Sequence, residues 1–119
     1  MKKLLVCAIV IFISRFSFSQ TVPMDSVGKY EGKIITVCAA VTGTHVFSGD
    51  KKNVALNFGK PFPNHSFTVF INESDLKNFK YDPSEFLKDK NICATGLVKI
   101  YKDKPEIIVT KEEQVKIQK

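Results

Sequence analysis

The chain has no tryptophan and a single arginine, Arg15, so lysine supplies nearly all of its positive charge. Arginine is the side chain suited to two parallel hydrogen bonds with a phosphate or a base edge, whereas lysine binds as a point charge. The composition therefore permits nucleic-acid binding without demanding it.

Motifs for catalysis are also missing. The two histidines, His45 and His65, lie in different segments, and no carboxylate or cysteine stands near them at metal-ligand spacing. The sequence contains no glycine-rich phosphate loop, no nucleophile elbow and no Cys-x-x-Cys pair. Asp82 and Glu85 are better explained as helix caps than as an acid–base pair. These observations predict a protein that is not an enzyme and that uses neither a metal nor a cofactor.

The N-terminal residues have the pattern of a secretory signal peptide. A lysine-containing start is followed by an apolar run over residues 4–13, too short to span a bilayer, and by a small-x-small pattern that ends at Ser19. We predict that residues 1–19 are a signal peptide and residues 20–119 a single domain; an uncleaved anchor is the alternative. Removing 1–19 lowers the net charge from +6 to +3. The mature protein is then expected in the periplasm or outside the cell, without stable membrane insertion.

Cys7 is lost with this leader, which leaves Cys38 and Cys93. An oxidising compartment permits them to pair. The alternative is two small buried thiols that behave as hydrophobic residues. Both cysteines are predicted on the face opposite the core, on strands that would neighbour each other, but a register shifted by one pair would forbid the bridge.

Alternation of apolar residues predicts five strands, at residues 32–41, 54–58, 67–71, 91–100 and 106–110. The first strand is apolar on both faces and is expected to be covered on both. Residues 42–53 are expected to form a long loop, and residues 20–30 show no periodicity. Gly96, inside a strand, indicates a bulge, a bend or a close approach of backbone.

A short helix is predicted between the third and fourth strands. Asp82 has the character of an N-cap, Pro83 suits the first helical position, and Phe86 and Leu87 would anchor the helix on the core. A mainly β chain with this element order matches the five-stranded Greek-key barrel called the OB-fold.

Two motifs add a resemblance. "VALNFGKPFPNHSFTVFI" and "GLVKIYKDKPEIIV" resemble small exported bacterial OB-fold proteins and the anticodon-binding type of nucleic-acid-binding OB domain. The resemblance covers residues 27–117. It implies a nucleic-acid-binding-like module, and it is more specific for the fold than for the ligand.

The ligand surface of an OB barrel lies across its second and third strands, between the loops that join strands 1–2 and 4–5. Outward positions, lysines and aromatic residues in these regions are the candidate binding residues: His45, Phe47, Lys51, Lys52, Asn57, Lys60, Phe62, Thr68, Phe70, Lys99, Tyr101, Lys102 and Lys104. Phe47 and Phe62 have an alternative role as caps on the ends of the barrel. Tyr101 has an alternative place beside Pro105, and the lysines have an alternative role as charges that maintain solubility.

The sequence thus favours a non-catalytic, exported binding module whose best-argued partner is single-stranded nucleic acid. The rival hypothesis is a module that binds another envelope protein, an oligosaccharide or a small molecule.

Overall fold

The computed structural model describes residues 20–118, so the predicted signal peptide lies outside the described residues. Within this part of the chain the strands are β1 (Gln20–Thr21), β2 (Ile34–Val46), β3 (Val54–Gly59), β4 (His65–Ile71), β5 (Asn91–Tyr101), β6 (Lys104–Ile108) and β7 (Val115–Ile117). The helical segments are α1 (Pro83–Phe86) and the 3-10 turns Met24–Tyr30, Glu73–Asn78 and Glu112–Gln114. None of the described helices has the length and apolarity needed to cross a membrane.

The strands close into a barrel in the order β2–β3–β4–β6–β5, with β5 pairing back onto β2. The β4–β6 pairing is parallel, and the other pairings in the barrel are antiparallel. The five predicted strands are β2 to β6, and α1 lies between β4 and β5 as expected. This is the topology of an OB-fold, so the predicted fold class is confirmed. β1 and β7 are short additions at the two ends of the sheet.

The barrel interior is filled by the residues that alternation places inward. The predicted inward sets of β3 and β4 are all buried: Val54, Leu56, Phe58, Phe67, Val69 and Ile71. The rings of Phe58 and Phe67 stack at 4.4 Å between centroids. Residues 20–30 also contribute, since Val22 and Val27 are buried in the same core. The segment lacks periodicity, as its sequence indicates, because two strand residues and a 3-10 turn are too short to produce a repeating pattern.

The expectation that the first strand is covered on both faces is wrong. Ile35, Val37 and Val41 point into the core, but Ile34 on the other face is 61% exposed. A closed barrel has a single interior, and no second layer formed by residues 20–118 covers the outer face of β2. The predicted loop over residues 42–53 is also shorter than expected, because β2 continues to Val46.

β2 serves two neighbours because its pairing is interrupted. Its first half pairs with β5 and its second half with β3, and the register with β3 shifts between Val41 and Gly43. An extra residue in one strand bends it and increases its twist. The bend lets one strand turn the corner of the barrel.

The backbones of β5 and β6 approach each other closely at Gly96. A Cβ atom at this position would overlap the backbone oxygen of Ile108 and crowd the side chain of Ile107. The predicted close approach of backbone is therefore confirmed.

The start of α1 is also confirmed: the Asp82 carboxylate accepts hydrogen bonds from the backbone N–H of Ser84, at 3.0 Å, and from the Ser84 hydroxyl. Leu87 is buried, as predicted, but Phe86 is exposed. Phe86 packs on the ring of Tyr81 instead of on the core, because a helix of one turn cannot direct two successive side chains inward.

The structure joins Cys38 and Cys93 in a disulfide. The two residues are directly opposite each other in the β2–β5 pairing. The neighbouring outward pair, Thr36 and Thr95, is linked by a hydrogen bond of 2.7 Å between hydroxyl groups. The sequence alone does not determine the register of β2 against β5. The register in the structure is the one that allows the bridge.

Candidate ligand-binding groove

A groove of about 630 Å³ runs across the outer face of β3 and β4 and is bounded by the second half of β2 and by the β5–β6 turn. The β2–β3 connection and the β5–β6 turn therefore lie on the same side of the barrel, as the sequence hypothesis requires. The residues that line it are Thr42, Gly43, Thr44, His45, Phe47, Ala55, Asn57, Pro61, Phe62, Pro63, His65, Thr68, Tyr101, Lys102, Lys104 and Glu106.

Most of the predicted binding residues meet in this groove, namely His45, Phe47, Asn57, Phe62, Thr68, Tyr101, Lys102 and Lys104. His45 reaches it from β2 and not from a loop. The remaining candidates do not line the groove: Lys51, Lys52, Lys60, Phe70 and Lys99. Phe70 instead supports the groove wall, since its ring meets that of Phe47 at 6.3 Å in an edge-to-face arrangement.

Aromatic rings stand along the rim of the groove. Phe62 is 72% exposed and stacks on the His65 ring at 5.4 Å, with the planes 17° apart. Tyr101, at the end of β5, is 56% exposed, and Phe47 meets the ring of His45 at 4.7 Å. Exposed rings of this kind offer flat apolar faces to a ligand. Phe47 and Phe62 do not enter the core cluster, so they are not caps that seal the barrel.

The floor of the groove is polar, and its side chains are hydrogen-bonded to one another. Asn57 and Thr68 are partners in the β3–β4 pairing and lie on the outer face, as predicted. Each is nevertheless at least nine-tenths buried, and the Thr68 hydroxyl donates a 2.9 Å hydrogen bond to Oδ1 of Asn57. Thr42 donates from its hydroxyl to the Asn57 backbone oxygen at 3.1 Å. These contacts fix the side chains of the floor before any ligand arrives.

His65 lines the groove, although the sequence pattern does not predict it there. Alternation would place it on the core face with Phe67, but the β3–β4 register shifts between Phe58 and Gly59. The shift interrupts alternation, and irregularities of this kind re-aim a side chain. The imidazole therefore lines the groove under Phe62, a position that periodicity alone could not reveal.

The environment of His65 favours its neutral form. Burial lowers the pKa of the imidazole, and the nearby charge of Lys104 lowers it further. The Lys104 ammonium donates a 2.9 Å hydrogen bond to the His65 backbone oxygen. Within residues 20–118, Nδ1 of His65 is a buried atom with no hydrogen-bond partner.

We expect this histidine to make stability depend on pH. Because its pKa in the folded state is depressed below 6.5, the unfolded chain binds more protons over the range between the two pKa values. Stability is full above about pH 6.5 and falls as the pH drops through that range. The urea midpoint measured from pH 8 to pH 5 should decrease accordingly.

The matched variant His65→Gln should lose that part of the pH dependence. Glu106 acts in the opposite direction, since burial raises its pKa and its contribution to stability is lost as the pH rises above about 4.5. If the urea midpoint of His65→Gln falls with decreasing pH as much as that of the wild type, a group other than His65 causes the loss of stability in acid.

The charges of the groove are arranged asymmetrically. Lys102 and Lys104 lie at the β5–β6 turn, and Lys102 places its ammonium 5.3 Å from the centre of the Tyr101 ring. Glu106 lies half-buried farther along β6, where burial raises its pKa and the nearby Lys99 partly offsets that effect. Cations thus occupy one end of the groove and a carboxylate its floor. The described residues contain no cluster of side chains suited to hold a metal ion.

No protein-family model matches the chain, and no curated protein sequence matches it. Its fold is similar to those of several solved structures. An aspartyl tRNA synthetase from Entamoeba histolytica aligns at a TM-score of 0.57 and 16% identity, over 83% of this chain and 21% of the synthetase. An asparaginyl-tRNA synthetase from the same organism aligns at 0.53 and 14%, over 84% of this chain and 24% of the enzyme.

The yeast Stn1 and Ten1 structure aligns at a TM-score of 0.57 and 14% identity, over 87% of this chain and 65% of the matched chain. The chain thus spans about a fifth to a quarter of the synthetases and just under two-thirds of the Stn1–Ten1 chain. At these identities the likeness concerns the fold, and together with the closed strand order it establishes the protein as a small OB-fold barrel.

Proposed function

We propose that this protein is an exported, non-catalytic OB-fold module that binds single-stranded nucleic acid in the groove. The observation that carries the proposal is the convergence of exposed rings and lysines on the outer face of β3 and β4. Phe62 and Tyr101 stand at the rim, with Lys102 and Lys104 beside Tyr101. Some of the structures that share the fold are tRNA synthetases, whose names specify an RNA.

Each part of the groove suits a part of a single strand. Aromatic faces stack bases in a sequence-tolerant way, at roughly 1–3 kcal/mol for each base. Lysines that neutralise phosphates add affinity that weakens as salt rises. The groove is open on its outer side, so an extended strand can cross it without threading through the barrel.

Export and the lack of catalysis belong to the same proposal. The leader pattern over residues 1–19 and the Cys38–Cys93 disulfide support an oxidising compartment. The groove contains His65 and Glu106, but the Thr68 hydroxyl beside Glu106 donates its hydrogen bond to Oδ1 of Asn57 and not to a general base. Binding alone is the activity that these side chains support.

The proposal predicts salt-dependent binding that relies on Tyr101. We expect Tyr101→Ala to weaken binding of a fluorescent oligonucleotide by roughly 5- to 150-fold, the equivalent of one lost stacking contact. Phe86→Ala is the matched control, because it removes an exposed ring outside the groove. Fluorescence anisotropy at low salt measures both variants.

The lysines provide a second readout in the same assay. Lys102→Gln should reduce the slope of log affinity against log salt by about 0.7, the value for one phosphate of a single strand. Lys77→Gln, on the 3-10 turn Glu73–Asn78 outside the groove, should leave the slope unchanged. If the wild type does not bind the oligonucleotide even at low salt, the proposal fails and the rival partners remain: an envelope protein, an oligosaccharide or a small molecule.

A further inference from the structure

A row of paired residues crosses the outer face of the barrel at the groove floor. Asn57 on β3 is opposite Thr68 on β4, and Thr68 is opposite Glu106 on β6. Gly43 on β2 is opposite Asn57 and has no side chain to cover it. Paired positions on neighbouring strands share a face and lie about 4.8 Å apart. Asn57, Thr68 and Glu106 therefore form a side-by-side set, which we call the floor row.

The hydrogen bond within the floor row determines what it can offer to a ligand. Thr68 gives its only hydroxyl proton to Oδ1 of Asn57. The end of Asn57 that this bond leaves unused is the amide nitrogen Nδ2, which is a donor. Thr68 keeps acceptor lone pairs on its hydroxyl oxygen, and ionised Glu106 is only an acceptor. Across the strands the order is donor, acceptor, acceptor.

That order is the order found on the pairing edge of cytosine, which carries an amino donor, a ring-nitrogen acceptor and a carbonyl acceptor. Its complement is the edge of guanine, with a carbonyl acceptor, a ring N–H donor and an amino donor. We propose that the floor row binds a guanine base by this edge. Asn57 donates to the guanine carbonyl oxygen, the Thr68 hydroxyl oxygen accepts from the ring N–H, and Glu106 accepts from the amino group. The inference rests on the proposed function and adds a preferred base to it.

The arrangement also opposes the other bases. Thymine and uracil would direct a second carbonyl oxygen at the Glu106 carboxylate. Adenine and cytosine would direct an amino group at the amide nitrogen of Asn57. Unpaired or repelling polar groups in a buried site cost free energy, so mismatched bases are disfavoured.

The charge distribution favours a base over a phosphate at this point. The carboxylate of Glu106 repels phosphate, whereas the ammonium groups of Lys102 and Lys104 at the β5–β6 turn attract it. Asn57 and Thr68 at the floor are almost fully buried, whereas the rings of Phe62 and Tyr101 at the rim are exposed. Single-stranded recognition commonly works in this way, with bases read on their pairing edges and stacked on aromatic side chains.

The test uses oligothymidines of about ten nucleotides that carry one central guanine, inosine, adenine, cytosine or thymine. Anisotropy at constant low salt is expected to show about tenfold tighter binding of the guanine strand than of the all-thymine strand. Inosine, which lacks only the amino group, should lose a large part of that preference. Glu106→Gln should remove the preference because a neutral amide accepts more weakly than a carboxylate from the guanine amino group and can present its own N–H groups to it.

Glu113→Gln is the matched control, since it removes the same charge from an exposed residue that does not line the groove; it should retain the guanine preference. Thermal melts of both variants confirm that each is folded. Equal affinity for all five strands overturns the base preference while leaving the proposed function standing. No binding of any strand, together with no binding of guanosine monophosphate, overturns both. Binding of guanosine monophosphate without any strand, abolished by Glu106→Gln, supports the guanine site and identifies a free nucleotide as its source.

Discussion

Removing the disulfide by the double substitution Cys38→Ala and Cys93→Ala is expected to destabilise the barrel by about 4 kcal/mol. The cross-link spans a sequence separation of 55 residues, and a closed loop of that length restricts the unfolded chain strongly. It joins β2 to β5, the pairing that closes the barrel. The loss should appear as a large fall in the urea midpoint.

Reducing agent supplies the internal comparison for this variant. Dithiothreitol should lower the midpoint of the wild type towards that of the double variant and leave the double variant unchanged. A wild-type midpoint that does not respond to full reduction, verified by thiol titration, would show that the cross-link contributes little to stability.

Gly96→Ala is expected to cost about 3 kcal/mol, at the upper end of what overpacking usually costs. The added methyl group meets the backbone oxygen of Ile108, and a backbone atom cannot rotate away as the end of a flexible side chain can. Relief requires β5 and β6 to separate, which weakens their pairing. Urea denaturation monitored by circular dichroism measures the change.

Gly43→Ala is the matched control, because a Cβ atom there meets no atom within 4 Å. Its urea midpoint should therefore differ little from that of the wild type. Both substitutions make the same change to a glycine in a strand, so the comparison isolates the cost of the contact with Ile108. Similar losses for the two variants would mean that chain flexibility, and not the contact with Ile108, sets the cost at Gly96.

The sequence predicts the barrel well because alternation is a local property. The inward residues of β3 and β4, such as Leu56 and Val69, follow from period two, and the cap of α1 follows from Asp82 and Pro83. Alternation does not decide whether the two cysteines pair, because strand register is a relation between distant segments. Only the pairing of β2 with β5 places Cys38 opposite Cys93.

The groove is harder to predict from the sequence for two physical reasons. Register shifts in β2 and β4 interrupt the alternation. Periodicity therefore does not predict that His65 lines the groove, and it predicts a loop at His45 where the structure continues β2. The role of Glu106 depends on its alignment with Thr68 across a parallel pairing, a contact between residues far apart in the chain. The net charge of the sequence shows Glu106 only as a negative charge that offsets part of the positive charge of the lysines.

The closed strand order also bears on how this protein behaves in concentrated solution. In the described residues the sheet ends at β1 and β7, which are two and three residues long. An exposed strand edge can recruit strands from other molecules and nucleate fibrils, and very short edges give such growth little backbone to copy. Self-association through strand addition is therefore disfavoured by the architecture itself, even though several apolar side chains remain exposed on the outside of the barrel.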